Sequence, residues 1–277
     1  MTIVYLHGPK GTAKSTFAAS WREGTRRLWL DIEGGAARAH GIEAISPDDI
    51  WHPGKNGDEE IVLDALMATL QHQRFGMMEG QTPLWDRLTK RYIEFLRDKE
   101  TPIAIFDTWK MVWSWNTMAY LQTEQEGQPD RSKKKKQLGQ MDYGIPNARM
   151  DGIVNAANLL GKDLILIAHE RPIYEKRIIE GKVESIPTGE FEPNSYNGTP
   201  ALADWQFHTG FAKNEDKKCE RCGKPLDGED KDKRCPGFHF WFDIQKSPIG
   251  AELVGSRLVD PTYEKLGKFV KMYGKEL

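Results

Sequence analysis

A short apolar run, Ile3-Val4-Tyr5-Leu6-His7, leads into Gly8-Pro9-Lys10-Gly11-Thr12-Ala13-Lys14-Ser15-Thr16 and then into the helix-forming Phe17-Ala18-Ala19-Ser20-Trp21. No other stretch of the chain limits its fold as tightly. A buried strand, a Gly-bearing turn, Lys-Ser-Thr and a helix form the context of a phosphate-binding loop. Backbone N–H groups of such a loop, at a helix N-terminus, cradle phosphates. Lys14 is expected to reach the β- and γ-phosphates of a nucleoside triphosphate, and the Ser15 hydroxyl to ligate Mg²⁺. The sequence departs from G-x-x-x-x-G-K-[ST] at one place, where Ala13 stands for the last glycine. If the backbone there needs a positive φ, the methyl group costs ~1–2 kcal/mol. Gly8 and Gly11 remain to bend the loop, and phosphate binding is expected to survive.

The rest of the chain supplies the strands and helices that such a loop needs. Leu28-Trp29-Leu30-Asp31-Ile32-Glu33 reads as a second strand that ends in two acids before Gly34-Gly35. Ile103-Ala104-Ile105-Phe106-Asp107 and Leu164-Ile165-Leu166-Ile167-Ala168 read as a third and a fourth, both short and apolar enough to be buried on both faces. Helical spacing marks residues 61–70, 84–96 and 148–160, and a short helix is expected in the tail after Pro261. Residues 203–212 and 238–245 alternate as strands. Residues 122–147 and about 180–203 read as long loops, the first of them mobile. Strands alternating with helices imply an α/β fold, a mainly parallel sheet covered on both faces.

At 277 residues and a formal net charge of −2, the chain can bury a full core but has no global field that attracts nucleic acid. No apolar run approaches a membrane span. The first residues enter a strand directly, so no signal peptide and a cytoplasmic location are expected.

Three positions beside the loop invite chemical roles. Asp107, at the tip of a buried strand, is placed to hold Mg²⁺, usually through water. Glu33 is placed to orient the water that attacks the γ-phosphate, with Asp31, on the same strand face, as its competitor. His169 follows the fourth strand, where a polar side chain can detect the γ-phosphate.

This order of a phosphate loop, a strand ending Asp-x-Glu, a strand ending in Asp and a strand ending in a polar group resembles the ATPase core of RecA-like recombinases, in particular the small single-core RecA-like ATPases of bacteriophages. The resemblance covers most of residues 1–250. It implies a single RecA-like domain over residues 1–277 that hydrolyses ATP with Glu33 as water-activating acid and Asp107 as the metal acid. His169 stands where the family usually has Gln. Asn197-Gly198-Thr199-Pro200-Ala201-Leu202-Ala203-Asp204 is similar to the exit from the family's second DNA-binding loop, and Lys246 to a lysine that reaches the neighbouring subunit's nucleotide. The resemblance therefore implies a homo-oligomer, ring or filament, that binds single-stranded DNA in recombination or replication. Its two DNA loops fall on residues 122–147 and 173–203. The first holds Arg131, Lys133–Lys136 and Tyr143, suited to phosphate contacts and to stacking. The second holds Lys176, Arg177, Lys182, Phe191 and Tyr196 opposed by five glutamates. Two other readings stay open: a P-loop kinase for a nucleotide or small molecule, and a DNA adaptor that binds ATP with little hydrolysis.

The last motif is Cys219-Glu220-Arg221-Cys222-Gly223, followed by Cys235-Pro236-Gly237-Phe238-His239. The spacing C-x₂-C-x₁₂-C-x₃-H falls in the range of structural zinc sites, here an insert at 213–239, with His208 as the rival fourth ligand to His239. A metal would offset the ordering cost of this charged segment. Elemental analysis of the purified chain is expected to give about one zinc per chain; a stoichiometry near zero would remove the site.

Overall fold

The computed structural model describes residues 1–32, 50–52, 59–65, 67, 78–179, 182–213 and 238–277. A nine-stranded sheet organises them. Its strands are β1 (Ile3–His7), β2 (Arg27–Asp31), β3 (Ile50–Trp51), β4 (Ile103–Asp107), β5 (Asp163–Ile179), β6 (Lys182–Asn194), β7 (Trp205–Lys213), β8 (Phe238–Lys246) and β9 (Arg257–Val259). Their order is β3-β2-β4-β5-β1-β7-β8-β9, with β6 paired to β5. From β3 to β7 every neighbour is parallel. β8 and β9 add an antiparallel edge. The α/β architecture read from the sequence, a mainly parallel sheet between helices, is thus present.

Alternation along the central strands divides the apolar side chains between two cores. On one face Tyr5, Leu30, Phe106 and Leu166 meet helices α2 (Gln81–Arg97), α3 (Trp109–Gly127) and α4 (Gly144–Leu159). On the other, Val4, Trp29, Ile105, Ile165 and Phe207 meet α1 (Lys14–Ser20) and α6 (Tyr263–Lys271). The C-terminal strand edge between these cores carries the β1–α1 loop on one side of β5 and Asp107 on the other.

The two expected loops are largely ordered structure. α3 extends to Gly127, and short 3₁₀ turns at Arg131–Lys133 and Gln140–Tyr143 lead into α4. Lys135 holds this segment down, donating to Glu124 at 3.0 Å and Asp142 at 2.6 Å, while Lys133 lies 3.5 Å from Asp130. Residues 173–203 are for the most part a β-hairpin, because β5 runs on past the sheet and β6 returns antiparallel to it before the single-turn helix α5 (Thr199–Leu202). Cross-strand charge supports the pairing, with Arg171 against Glu192 at 2.7 Å. Pro187, Gly189 and Pro193 hide this strand in the sequence. They are tolerated because β6 pairs with β5 alone and its other edge needs no ladder donors. The cysteine-bearing insert lies outside the described residues, apart from its boundary strands β7 and β8.

Asp163 ties the start of the sheet together. Its carboxylate, 1% exposed, accepts from Thr2 N at 2.8 Å and Trp21 Nε1 at 3.0 Å, and lies 3.1 Å from Arg22 Nε. Asp163→Ala would leave a buried indole N–H without its acceptor and remove the charge opposite Arg22. A loss of about 2–4 kcal/mol in denaturant-measured stability is expected; an unchanged midpoint would contradict this role.

Candidate functional site

The loop between β1 and α1 is pressed against the end of β7. Gly8, at φ 150°, has no room for a side chain, since a Cβ there would stand 2.3 Å from both the carbonyl oxygen and the hydroxyl of Thr209. Thr12, buried beneath the loop, has its hydroxyl 2.8 Å from the Pro9 carbonyl oxygen and 2.6 Å from Thr209 Oγ1. Pro9, Lys10 and Gly11 form the exposed rim. Ala13 occupies the left-handed region at φ 58° and ψ 20°, immediately before α1. The glycine that the motif expects is therefore absent where the backbone would use it, and the fold carries the methyl group's strain.

Lys14 opens α1, 4% exposed. Its ammonium curls over the loop and donates to the carbonyls of Gly8 at 2.9 Å and Pro9 at 2.6 Å and to Thr12 Oγ1 at 3.1 Å. Ser15, in the same turn, donates its hydroxyl hydrogen to Asp107 Oδ2 at 2.7 Å. Thr16 follows on α1, half-buried. The Ser15–Asp107 bond spans 92 positions in sequence and links the loop's helix to the tip of β4. It brings together two hard oxygen donors of the kind that Mg²⁺ takes. Lys14, Ser15 and Asp107 are thus assembled as their sequence positions suggest.

Asp31 ends β2 in register with Asp107, and Ile32 N donates to the Asp107 carbonyl at 2.7 Å. Asp31 is fully buried and has His52 of the β3 end beside it, with Nδ1 2.8 Å from its carbonyl oxygen and Nε2 3.5 Å from its carboxylate. Glu33 lies outside the described residues, two positions beyond Asp31. His169 sits on β5, the strand between Asp107's strand and the loop's strand. Alternation with Ile165 and Ile167 puts it on the sheet face of α1.

On the opposite face lies a polar cluster that sequence reasoning missed. Glu170, its side chain 7% exposed, accepts from His208 Nε2 at 2.9 Å and is 3.3 Å from His7 Nδ1. His7 Nε2 lies 2.7 Å from Gln245 Oε1, and the two imidazoles stack at 5.3 Å. Burial pushes the Glu170 carboxyl up, but the hydrogen bonds from His208 and His7 outweigh it and hold it down at about 2. Its stabilising contribution is therefore complete above about 4.5 and is lost as pH falls towards about 2. The cluster joins β1, β5, β7 and β8, and His7 leads directly into the β1–α1 loop. A polar pair, His169-Glu170, at the end of an apolar strand was its one trace in the sequence.

The remaining expected positions are dispersed. Lys246 donates to the carbonyls of Pro200 at 3.2 Å, Ala201 at 3.2 Å and Ala203 at 2.5 Å, which closes the end of α5 of its own chain. His239 is buried on β8, with Nδ1 2.6 Å from Asp260 Oδ2. Cys219, Cys222 and Cys235 lie outside the described residues, and among the described residues no group of three His, Cys, Asp or Glu side chains could hold a metal ion.

A scan against protein-family models found no match for this chain, and no curated protein matches it.

Ala13→Gly tests the loop strain. Relief of the left-handed Ala, less the extra freedom glycine gives the unfolded chain, is expected to add up to about 1 kcal/mol. A melting temperature higher by about 1–3 °C would follow; a lower one would contradict the strain.

Proposed function

We propose that the chain is a RecA-like ATPase that acts on single-stranded DNA in recombination or replication, with ATP held at an interface between copies. The observation that carries this reading is the Ser15–Asp107 hydrogen bond beneath a loop that already surrounds the Lys14 ammonium with oxygen acceptors. Phosphate oxygens can replace the Gly8 and Pro9 carbonyls as partners of that ammonium. The strand order adds support, since β5 separates the loop strand from the Asp107 strand and carries His169 where it leaves them to pair with β6.

In this reading Lys14 neutralises charge on the β- and γ-phosphates, and the loop N–H groups hold their oxygens. Ser15 and Asp107 would hold Mg²⁺, which would supply charge neutralisation at the phosphates. Glu33 accepts the proton of the attacking water, and Asp31 shapes the strand end that carries it. His169 meets the γ-phosphate and passes its loss to the β5–β6 hairpin. Lys246 reaches a neighbour's nucleotide only after leaving the α5 carbonyls. Cys219, Cys222 and Cys235, with His239 or His208, would hold a structural zinc in the segment between β7 and β8.

Hydrolysis of ATP by the full chain, measured at low salt with and without oligo-dT, tests the reading. Stimulation by the oligonucleotide is expected. Lys14→Ala is expected to abolish turnover, and Glu33→Gln to keep nucleotide binding while slowing cleavage ~10²–10⁴-fold. A rate indifferent to DNA, with no DNA bound, would refute the DNA role. Normal turnover by Glu33→Gln would remove Glu33 as the base.

A further inference from the structure

A cavity of about 360 Å³ opens between the β5–β6 hairpin and the antiparallel β7–β8 pair, beside Pro9 of the β1–α1 loop. That volume is in the range of small-ligand sites. Phe191 of β6 and Phe211 of β7 line it with open rings, 62% and 52% exposed. Trp241 of β8 forms a further wall. It lies over Gly210, where a Cβ would stand 2.0 Å from the indole. Glu170 and His208 also line the cavity. Both imidazoles of the cluster approach one oxygen of Glu170, with His208 Nε2 2.9 Å and His7 Nδ1 3.3 Å from Oε1. Oε2 therefore has no hydrogen bond among the described residues. Burial pushes this carboxyl up, but the bonds from His208 and His7 hold it at about 2, so it is ionised at neutral pH. A charged, largely dehydrated carboxylate with one oxygen left over is an incomplete hydrogen-bond set.

Charge and shape select the ligand. Among the described residues that line the cavity none is Lys or Arg, so a phosphate group would meet a carboxylate there and no cation. A cation suits it instead. An ammonium is a compact, strongly hydrated charge, and aromatic walls repay little of its lost water. A guanidinium is planar and weakly hydrated, and it can lie on an aromatic face while its N–H edge donates to a carboxylate. The chain already makes this combination on the neighbouring strand. The Arg257 guanidinium lies 4.1 Å from the Trp241 ring centroid while its Nε and Nη2 donate to Asp243 at 2.5 and 2.7 Å.

We infer that this cavity binds a guanidinium group, with its N–H edge on Glu170 Oε2 and its plane against the Phe191 and Phe211 rings. A small alkylguanidine and an arginine side chain of a second copy both carry that group. The site is independent of the ATP and DNA readings above, because neither ligand has the charge to enter it.

Calorimetric titration of the full chain with ethylguanidinium chloride, ethylammonium chloride and ethylurea, at constant ionic strength, tests it. Ethylguanidinium is expected to bind ~10-fold or more tightly than either of the others. Phe191→Ala and Phe211→Ala, both at exposed positions, should each weaken it ~3–10-fold. Glu170→Gln should erase the preference for the cation over ethylurea. The two phenylalanine variants leave the histidine cluster intact, so the test stands even where Glu170→Gln does not fold. Equal affinity of wild type for the three probes would overturn the inference, and so would unchanged ethylguanidinium binding by both phenylalanine variants. Light scattering with and without ethylguanidinium separates the two sources. A fall in mass assigns the group to an arginine of a second copy, and an unchanged mass assigns it to a small molecule. Failure of the ATPase or DNA assays would leave these titrations as they are.

Discussion

The hydrogen bond from Ser15 to Asp107 is the contact on which the site depends. It joins the first turn of α1 to the tip of β4 across the width of β5, and it forms only if three parallel strands keep their register. That register is held from both faces by apolar cores, and no surface contact can replace them. A slip of one residue along β4 would turn Asp107 to the opposite face and leave Ser15 without this partner. The meeting of Ser15 and Asp107 at the strand edge is thus a consequence of packing at the sheet centre.

The β1–α1 loop is constrained at Gly8, Thr12 and Ala13. Gly8 is pressed onto Thr209, Thr12 is buried beneath the turn, and Ala13 takes a conformation that its side chain disfavours. The Lys14 ammonium is surrounded by the loop's own oxygens, which draw the loop closed over it. The Glu170 cluster ties β1, β5 and β7 together next to this loop. These restraints favour a rigid cradle over a turn that orders only around its ligand.

Much of this was legible in the sequence because it depended on local signals. The four central strands are continuous apolar runs, and the loop is a compact motif with a strand before it and a helix after it. What escaped depended on partners distant in sequence. β6 carries prolines and glycine, and its strand character comes from pairing with β5 and from ion pairs such as Arg171 with Glu192. The lysine run read as a mobile loop because the acids that bind Lys135 lie 11 residues before it and 7 after it. Glu170 attracted no notice because its imidazole partners come from β1 and β7.

Under the proposed function, Ser15 and Asp107 form one half of a metal-triphosphate site whose other half is the loop around Lys14. Calorimetric titration of the full chain with a non-hydrolysable ATP analogue, with and without Mg²⁺, for wild type and Asp107→Asn, tests it most directly. The account predicts that Mg²⁺ tightens binding by wild type and that Asp107→Asn loses this gain while keeping the metal-free affinity. An equal Mg²⁺ effect in both proteins would contradict it.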